Sequence, residues 1–258
     1  MSQRLYLNLG NTSVQWGVWD AQEGWVADGR VALRSLRSSL QEIGDTLAER
    51  DLIRRIEVTV PVVGSRADAA EWGNAVLDSL GRQIAVMGLD FPVEIETLYH
   101  DPAQLGQDRL ANLVAARAEE LYPCLVLDAG TCLTADVLDG DGVHGGGAIA
   151  AGGPALWAGV LYRAPHLAAA LSNWPDTEAL VGWGRTTGEN LALGWELGLR
   201  GITAGLVARY REMTDCGGDV ILTGGDAGRI AGGMDGSVVM RPLLTLEGLR
   251  LAWEASGA

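Results

Sequence analysis

The chain of 258 residues carries a net charge of -14, with 48% hydrophobic residues and 36 glycines, a balance that supports one large or two smaller α/β cores with many tight turns. Its acidity argues against a nucleic-acid partner, which needs a basic stripe to neutralise phosphates. All 19 basic residues are arginine, which excludes a Walker A loop, Schiff-base chemistry and a catalytic lysine, so phosphate chemistry here must use backbone amides, hydroxyls, arginine and bound metal.

In chain order, residues 5–9 read as a strand entering the polar turn Gly10-Asn11-Thr12, and 14–19 as a second strand closed by an acidic, glycine-containing turn at 20–24. The first residues pass straight into that strand without the apolar core of a signal peptide. Apolar runs such as 5–9 and 124–127 fall short of a membrane span, so a cytoplasmic protein with no membrane partner is expected. Spacing predicts a helix over 33–50, a buried strand over 56–63, a helix over 67–80, a strand over 93–98 and an Ala-rich helix over 108–121.

Beyond Tyr122-Pro123 the opening grammar returns. Leu127-Asp128-Ala129-Gly130-Thr131 leads into a strand over 133–138 and an acidic turn at 139–142. Asn8 and Asp128, Gly10 and Gly130, and Asn11 and Thr131 match at one constant offset, so the chain reads as duplicated, with domains 1–121 and 122–258. A long helix follows over 188–213. Its glycines at 194, 198, 201 and 205 recur nearly every turn and predict close packing of another helix or subunit. A short strand over 220–222 enters Thr223-Gly224-Gly225-Asp226, and a helix over 244–253 closes the chain. Strands alternating with helices in two similar halves imply an α/β fold of two lobes with a cleft.

Cys124, Cys132 and Cys216 form no CxxC pair and are expected to be free, buried thiols. His100, His144 and His166 stand singly without ligand spacing and read as surface or loop residues. Trp157, Trp174, Trp183 and Trp195 are expected to pack under the second half.

A strand ending in Asn/Asp-x-Gly suits phosphate and metal binding. Glycine lets the backbone approach an anion, amides and hydroxyls donate to phosphate oxygens, and a carboxylate at the strand end holds a hard cation. The same residues build ordinary hairpin turns, but two copies at matched positions, with a third glycine-rich turn at 223–226, favour the functional reading. Gly106-Gln107-Asp108-Arg109 lies just before the Ala-rich helix. The residues alone leave two roles for Asp108, a helix cap or an ionised base for a substrate hydroxyl. They leave two for Arg109 as well, a solvated surface residue or a bidentate fork on carboxylate or phosphate.

These segments resemble the type III pantothenate kinases, of the actin-like ATPase (acetate-kinase) superfamily, over almost the whole chain. The most specific stretch is Leu105-Gly106-Gln107-Asp108-Arg109, followed about twenty residues later by Asp128-Ala129-Gly130-Thr131-Cys132-Leu133-Thr134-Ala135-Asp136. The resemblance implies two ribonuclease H-like lobes and ATP-dependent phosphorylation of pantothenate, the first step toward coenzyme A. It implies Asp108 as general base, and Tyr99, Gly106, Gln107, Asp108, Arg109 and Thr187 as pantothenate-binding residues. Asn8, Leu9, Gly10, Asn11, Thr12, Ser13, Val14, Gln15 and Thr131 correspond to ATP-binding positions. Asp128 corresponds to the ligand of a monovalent cation, potassium or ammonium; magnesium arrives with ATP, and a homodimer is expected. The family carries Asp where this chain has Asn8, a departure that also fits a regulatory homologue without turnover; an actin-like kinase for another small metabolite is the third reading.

Overall fold

The computed structural model describes residues 3–65, 68–81, 83–171, 182–214, 218–232, 234 and 238–257. Two compact units emerge. The first comprises Met1–Tyr122, Leu138–Gly146 and Leu243–Ala258; the second comprises Pro123–Val137 and Gly147–Pro242.

The first unit is built on a sheet ordered β3-β2-β1-β4-β5, with β1 Gln3–Leu9, β2 Ser13–Asp20, β3 Gly24–Ala32, β4 Ile56–Val63 and β5 Gln83–Ile84. β1, β2 and β3 pair antiparallel, whereas β4 joins β1 in parallel and β5 joins β4 in parallel. Leu5, Leu7, Leu9, Val14, Trp16 and Val18 bury one side of the hairpin against α1, Leu36–Glu49, whose Leu40, Ile43 and Leu47 recur at helical spacing. Ser35 caps α1 through a reciprocal capping box with Ser38. α2, Ala69–Leu80, ends on Gly81 at φ 60°, the left-handed residue that commonly closes a helix.

Two further helices complete this unit: α3, Gln107–Ala118, and the last helix of the chain, α7, Leu244–Ala255. They cross closely at Gly248, where a methyl group would collide with the Ala111 carbonyl oxygen, and Thr245 donates to Asn112 Oδ1 at 2.8 Å in the buried seam. That crossing fixes the helix whose first turn carries Asp108.

The second unit has a sheet ordered β10-β9-β6-β7-β8, with β6 Cys124–Ala129, β7 Cys132–Leu138, β8 His144–Ala151, β9 Asp219–Thr223 and β10 Val238–Met240. Read from its other edge the order is third, second, first, fourth, fifth strand, as in the first unit. β9 pairs in parallel with β6, and β10 with β9. α4, Gly153–Arg163, α5, Thr187–Met213, and α6, Ala227–Ala231, accompany this sheet. Leu199, Val207 and Tyr210 of α5 join Leu125, Leu127, Val220 and Leu222 in the core.

The expected strand over 93–98 is instead an extended segment held at one bridge, Thr97 with His144. Pro92 lacks an amide donor, side chains at 92, 94, 96 and 98 are exposed, and among the described residues ladder pairing is limited to that bridge. Cys124 is buried as expected, but Cys132 is exposed because β7 alternates its side chains and position 132 faces outward; Cys216 lies outside the described residues. Trp195 is half-buried against the second core, whereas Trp183 is 82% exposed; Trp174 lies outside the described residues. On α5, methyl groups at 194, 201 and 205 would meet nothing within 4 Å among the described residues, while one at 198 would just touch Leu156 of α4 at 4.0 Å. α5 is also long and apolar enough to cross a membrane by length and composition, with an 18-residue window of mean hydropathy 1.2.

Candidate active site

In the first unit the ends of β1 and β4 lie side by side, with Asn8 beside Val62 and Leu9 beside Val63. The chain turns after Leu9, and Gly10 donates its amide to the Ser13 carbonyl at 3.1 Å. Of the predicted nucleotide positions, Leu9, Val14 and Gln15 are buried, Asn8, Gly10 and Ser13 half-buried, and Asn11 and Thr12 exposed at the turn tip. Leu9 and Val14 are core residues; what they offer a ligand is backbone. Arg30 of β3 donates to Ser13 Oγ at 3.0 Å, placing a guanidinium at this turn.

The residue after β4 is Gly64, whose carbonyl accepts the Gln107 amide at 3.2 Å as α3 begins. The N-cap of α3 is Gly106, so Asp108 stands inside the first turn rather than at the cap. There its Oδ1 accepts the Arg109 amide at 2.8 Å, at the positive end of the helix dipole. A methyl group on Gly64 would stand 3.2 Å from Asp108 Oδ2, and one on Gly106 2.8 Å from Oδ1. Two glycines therefore leave the space this half-buried carboxylate occupies. Gln107 is buried, and its Oε1 has no hydrogen-bond partner.

Arg109 is not a solvated surface residue: it is 5% exposed. It donates from Nη2 to the Tyr99 hydroxyl at 3.0 Å, with its guanidinium carbon 5.8 Å from the ring centre. Tyr99, Gly106, Gln107, Asp108 and Arg109 thus gather on one stretch of the first unit. His144, expected on the surface, is fully buried, its ring 5.1 Å from that of Tyr99. No sequence signal announces that contact, because it depends on the β7–β8 tip returning to the first unit. Gly64 was legible only as the glycine ending a strand.

In the second unit Asp128 lies beside Thr223 on β9. The next residue, Gly224, has φ 94°, and a methyl group there would sit 2.5 Å from both Asp128 Oδ1 and the Ala129 amide nitrogen; only glycine fits that conformation and that approach. Asp226 donates its amide to the Ala129 carbonyl at 2.9 Å, and Gly152 donates to the Thr131 carbonyl at 3.1 Å. Trp195 Nε1 donates to Gly153 at 2.8 Å, and Arg229 stacks over Trp195 at 5.3 Å. Turns 128–131, 152–153 and 223–226 are thereby tied into one cluster. Thr187 stands apart from these contacts, exposed in the first turn of α5, which Thr186 and Glu189 cap.

Among the described residues no three His, Cys, Asp or Glu side chains gather as metal ligands. The turn cluster of the second unit carries two carboxylates, Asp128 beside Gly224 and Asp226 beside Gly153, and carboxylate and carbonyl oxygens of this kind are the ligands that hard cations take.

The fold of this chain recurs in solved structures of other proteins. It superposes on a glucokinase of the ROK family from Streptomyces griseus (TM-score 0.54, 15% identity, 99% of each chain covered). It likewise matches an activator of 2-hydroxyisocaproyl-CoA dehydratase from Clostridium difficile (TM-score 0.57, 12% identity, 99% and 96% covered). The chain belongs to the type III pantothenate kinase family, whose sequence profile matches residues 4–209. It is 32% identical to the type III pantothenate kinase of Halorhodospira halophila, with 97% of each chain covered, and 33% identical to that of Acidiphilium cryptum, with 96% and 93% covered.

Proposed function

We propose that the protein transfers the γ-phosphoryl group of ATP to the primary hydroxyl of pantothenate, giving 4'-phosphopantothenate in the first step of coenzyme A synthesis. The observation that carries this reading is the Asp108 carboxylate, held in the first turn of α3 between Gly64 and Gly106, next to the buried Arg109 and its half-buried partner Tyr99. Arg109 and Tyr99 hold the pantothenate carboxylate end or its polar backbone, and the hydroxyl then meets Asp108. The hydroxyl oxygen forms a bond to γ-phosphorus, the bond to the β-bridging oxygen breaks, ADP leaves and the proton passes to Asp108.

Within the first unit, the Gly10 turn offers backbone amides, the Asn11, Thr12 and Ser13 side chains, and nearby Arg30 to phosphate oxygens. Within the second, Thr131 offers a hydroxyl to the nucleotide, Asp128 holds a potassium or ammonium ion, and Thr187 is assigned to pantothenate by family resemblance alone. A bound cation supplies charge neutralisation for the transferring phosphoryl group. The open glycine stripe of α5 supports a homodimer in a cytoplasmic enzyme.

The test is phosphorylation of pantothenate by ATP with magnesium and potassium or ammonium, wild type beside Asn8→Asp. The expected result is robust wild-type turnover. Turnover only in the Asp variant favours the second reading, that Asn8 has made this chain a homologue with a regulatory role. Silence from both folded proteins would overturn the assignment.

A further inference from the structure

We propose that His144 is a positioning residue for the substrate-binding pair Tyr99 and Arg109, a role that rests on the pantothenate phosphorylation proposed above. The segment 93–99 forms no strand. It is fastened to the tip of the β7–β8 hairpin by two backbone bonds, from the His144 amide to the Glu96 carbonyl and from the Leu98 amide to the His144 carbonyl, both 2.9 Å.

Side chains then complete the brace. His144 Nδ1 lies 2.9 Å from Thr97 Oγ1, and that same hydroxyl accepts the Tyr99 amide at 3.1 Å. A hydroxyl both donates and accepts, so either imidazole tautomer closes the bond. The His144 ring supports the Tyr99 ring at 5.1 Å and 40°, while the Tyr99 hydroxyl receives Arg109 on its far end. Tyr99 is therefore held at its amide, its ring face and its hydroxyl, and the first two holds converge on His144.

A polar ring at 0% exposure costs desolvation unless its nitrogens are bonded. Phenylalanine at this position would fill the volume but give Thr97 nothing; asparagine would keep a polar atom near Thr97 but give Tyr99 no ring face. Histidine supplies both. Being enclosed, it acts through Tyr99 and not on pantothenate directly.

Steady-state kinetics of His144→Ala, His144→Phe and His144→Asn provide the test. The pantothenate KM is expected to rise about tenfold in His144→Ala, the size of one lost hydrogen bond, with kcat and the ATP KM within about twofold of wild type. The Phe and Asn variants fall between, and they carry the test if the Ala variant does not fold. Tyr99→Phe combined with His144→Ala is expected to add less than the sum of the two single effects. An unchanged pantothenate KM in folded Phe and Asn variants, or strict additivity in the double variant, overturns the proposal. A wild type inactive on pantothenate overturns the underlying activity and this role with it; an active wild type indifferent to all three variants overturns this role alone.

Discussion

At the first turn Asn8 stands beside Val62, and three residues separate β1 from β2; at the second Asp128 stands beside Thr223, and two residues separate β6 from β7. Both sheets repeat one strand order, so the two units share one backbone plan. The chemistry has diverged on it. The first turn carries a neutral amide and a nearby arginine, whereas the second carries a carboxylate backed by a left-handed glycine. A strand order is set by apolar alternation spread over dozens of residues, while a turn's charge is set by one. On the proposed mechanism the first unit holds anions and moves a proton, and the second holds a cation.

The sharpest way to break that division is Asp108→Asn. If the first unit's contribution is proton transfer, kcat falls about 10²–10⁴-fold, with the thermal midpoint unchanged, because asparagine keeps the size and the Oδ1 acceptor that meets the Arg109 amide. Full activity in a folded variant would leave the base chemistry without an owner.

Next in size is a paired glycine substitution. Gly224→Ala places a methyl group 2.5 Å from the Ala129 nitrogen at φ 94° and is expected to cost about 2–3 kcal/mol. Gly10→Ala meets only the Ser13 carbonyl, at 3.0 Å, and is expected to cost about 1 kcal/mol or less. Denaturant unfolding of the two variants reads the difference; equal losses would show that the second turn is no more tightly built than the first.

Much of this plan was legible in the sequence. Strand 56–63, the helices beginning near 36, 69, 107 and 187, and the paired turns all follow from periodicity and glycine placement, which are local properties. The gathering of Asp108 with Arg109 was legible because the two are adjacent in sequence. What stayed hidden depends on distant chain segments meeting: Gly64 beside Asp108, Gly224 beside Asp128, and His144 beneath Tyr99. The segment 93–98 misled for the same reason, since its alternation is that of a strand but among the described residues no neighbouring strand pairs with it along its length.

A smaller effect is expected from moving charge between the turns. Asp128→Asn should weaken activation by potassium or ammonium and lower kcat/KM about tenfold or more, the scale of a lost charged contact. Asn8→Asp should change it by no more than about threefold, if the first turn works through amides and arginine. Rates measured over a titration of the monovalent ion separate the two; equal sensitivity at both positions would erase the proposed asymmetry.

The smallest effect lies at the opposite ends of the two hairpins. Asp139 Oδ1 accepts the amides of Asp141 and Val143, at 3.0 and 2.9 Å. Asp20 accepts the Gln22 amide at 2.9 Å and the Gln3 side chain at 3.3 Å. The Gln22 bond, helped by Gln3, holds the Asp20 carboxyl below the usual carboxylate range. A carboxyl depressed in the folded state binds its proton more readily when unfolded, so its stabilisation is complete above the unfolded value of about 4 and is lost as pH falls through the folded value. Asp20→Asn keeps the oxygen that receives the Gln22 amide but removes the charge. Thermal midpoints followed from pH 6 down to about 3 should therefore fall less steeply in the variant than in the wild type. Parallel curves would mean that the first hairpin's outer turn is held by its hydrogen bonds and not by its charge, as the neutral Asn8 turn is at the inner end.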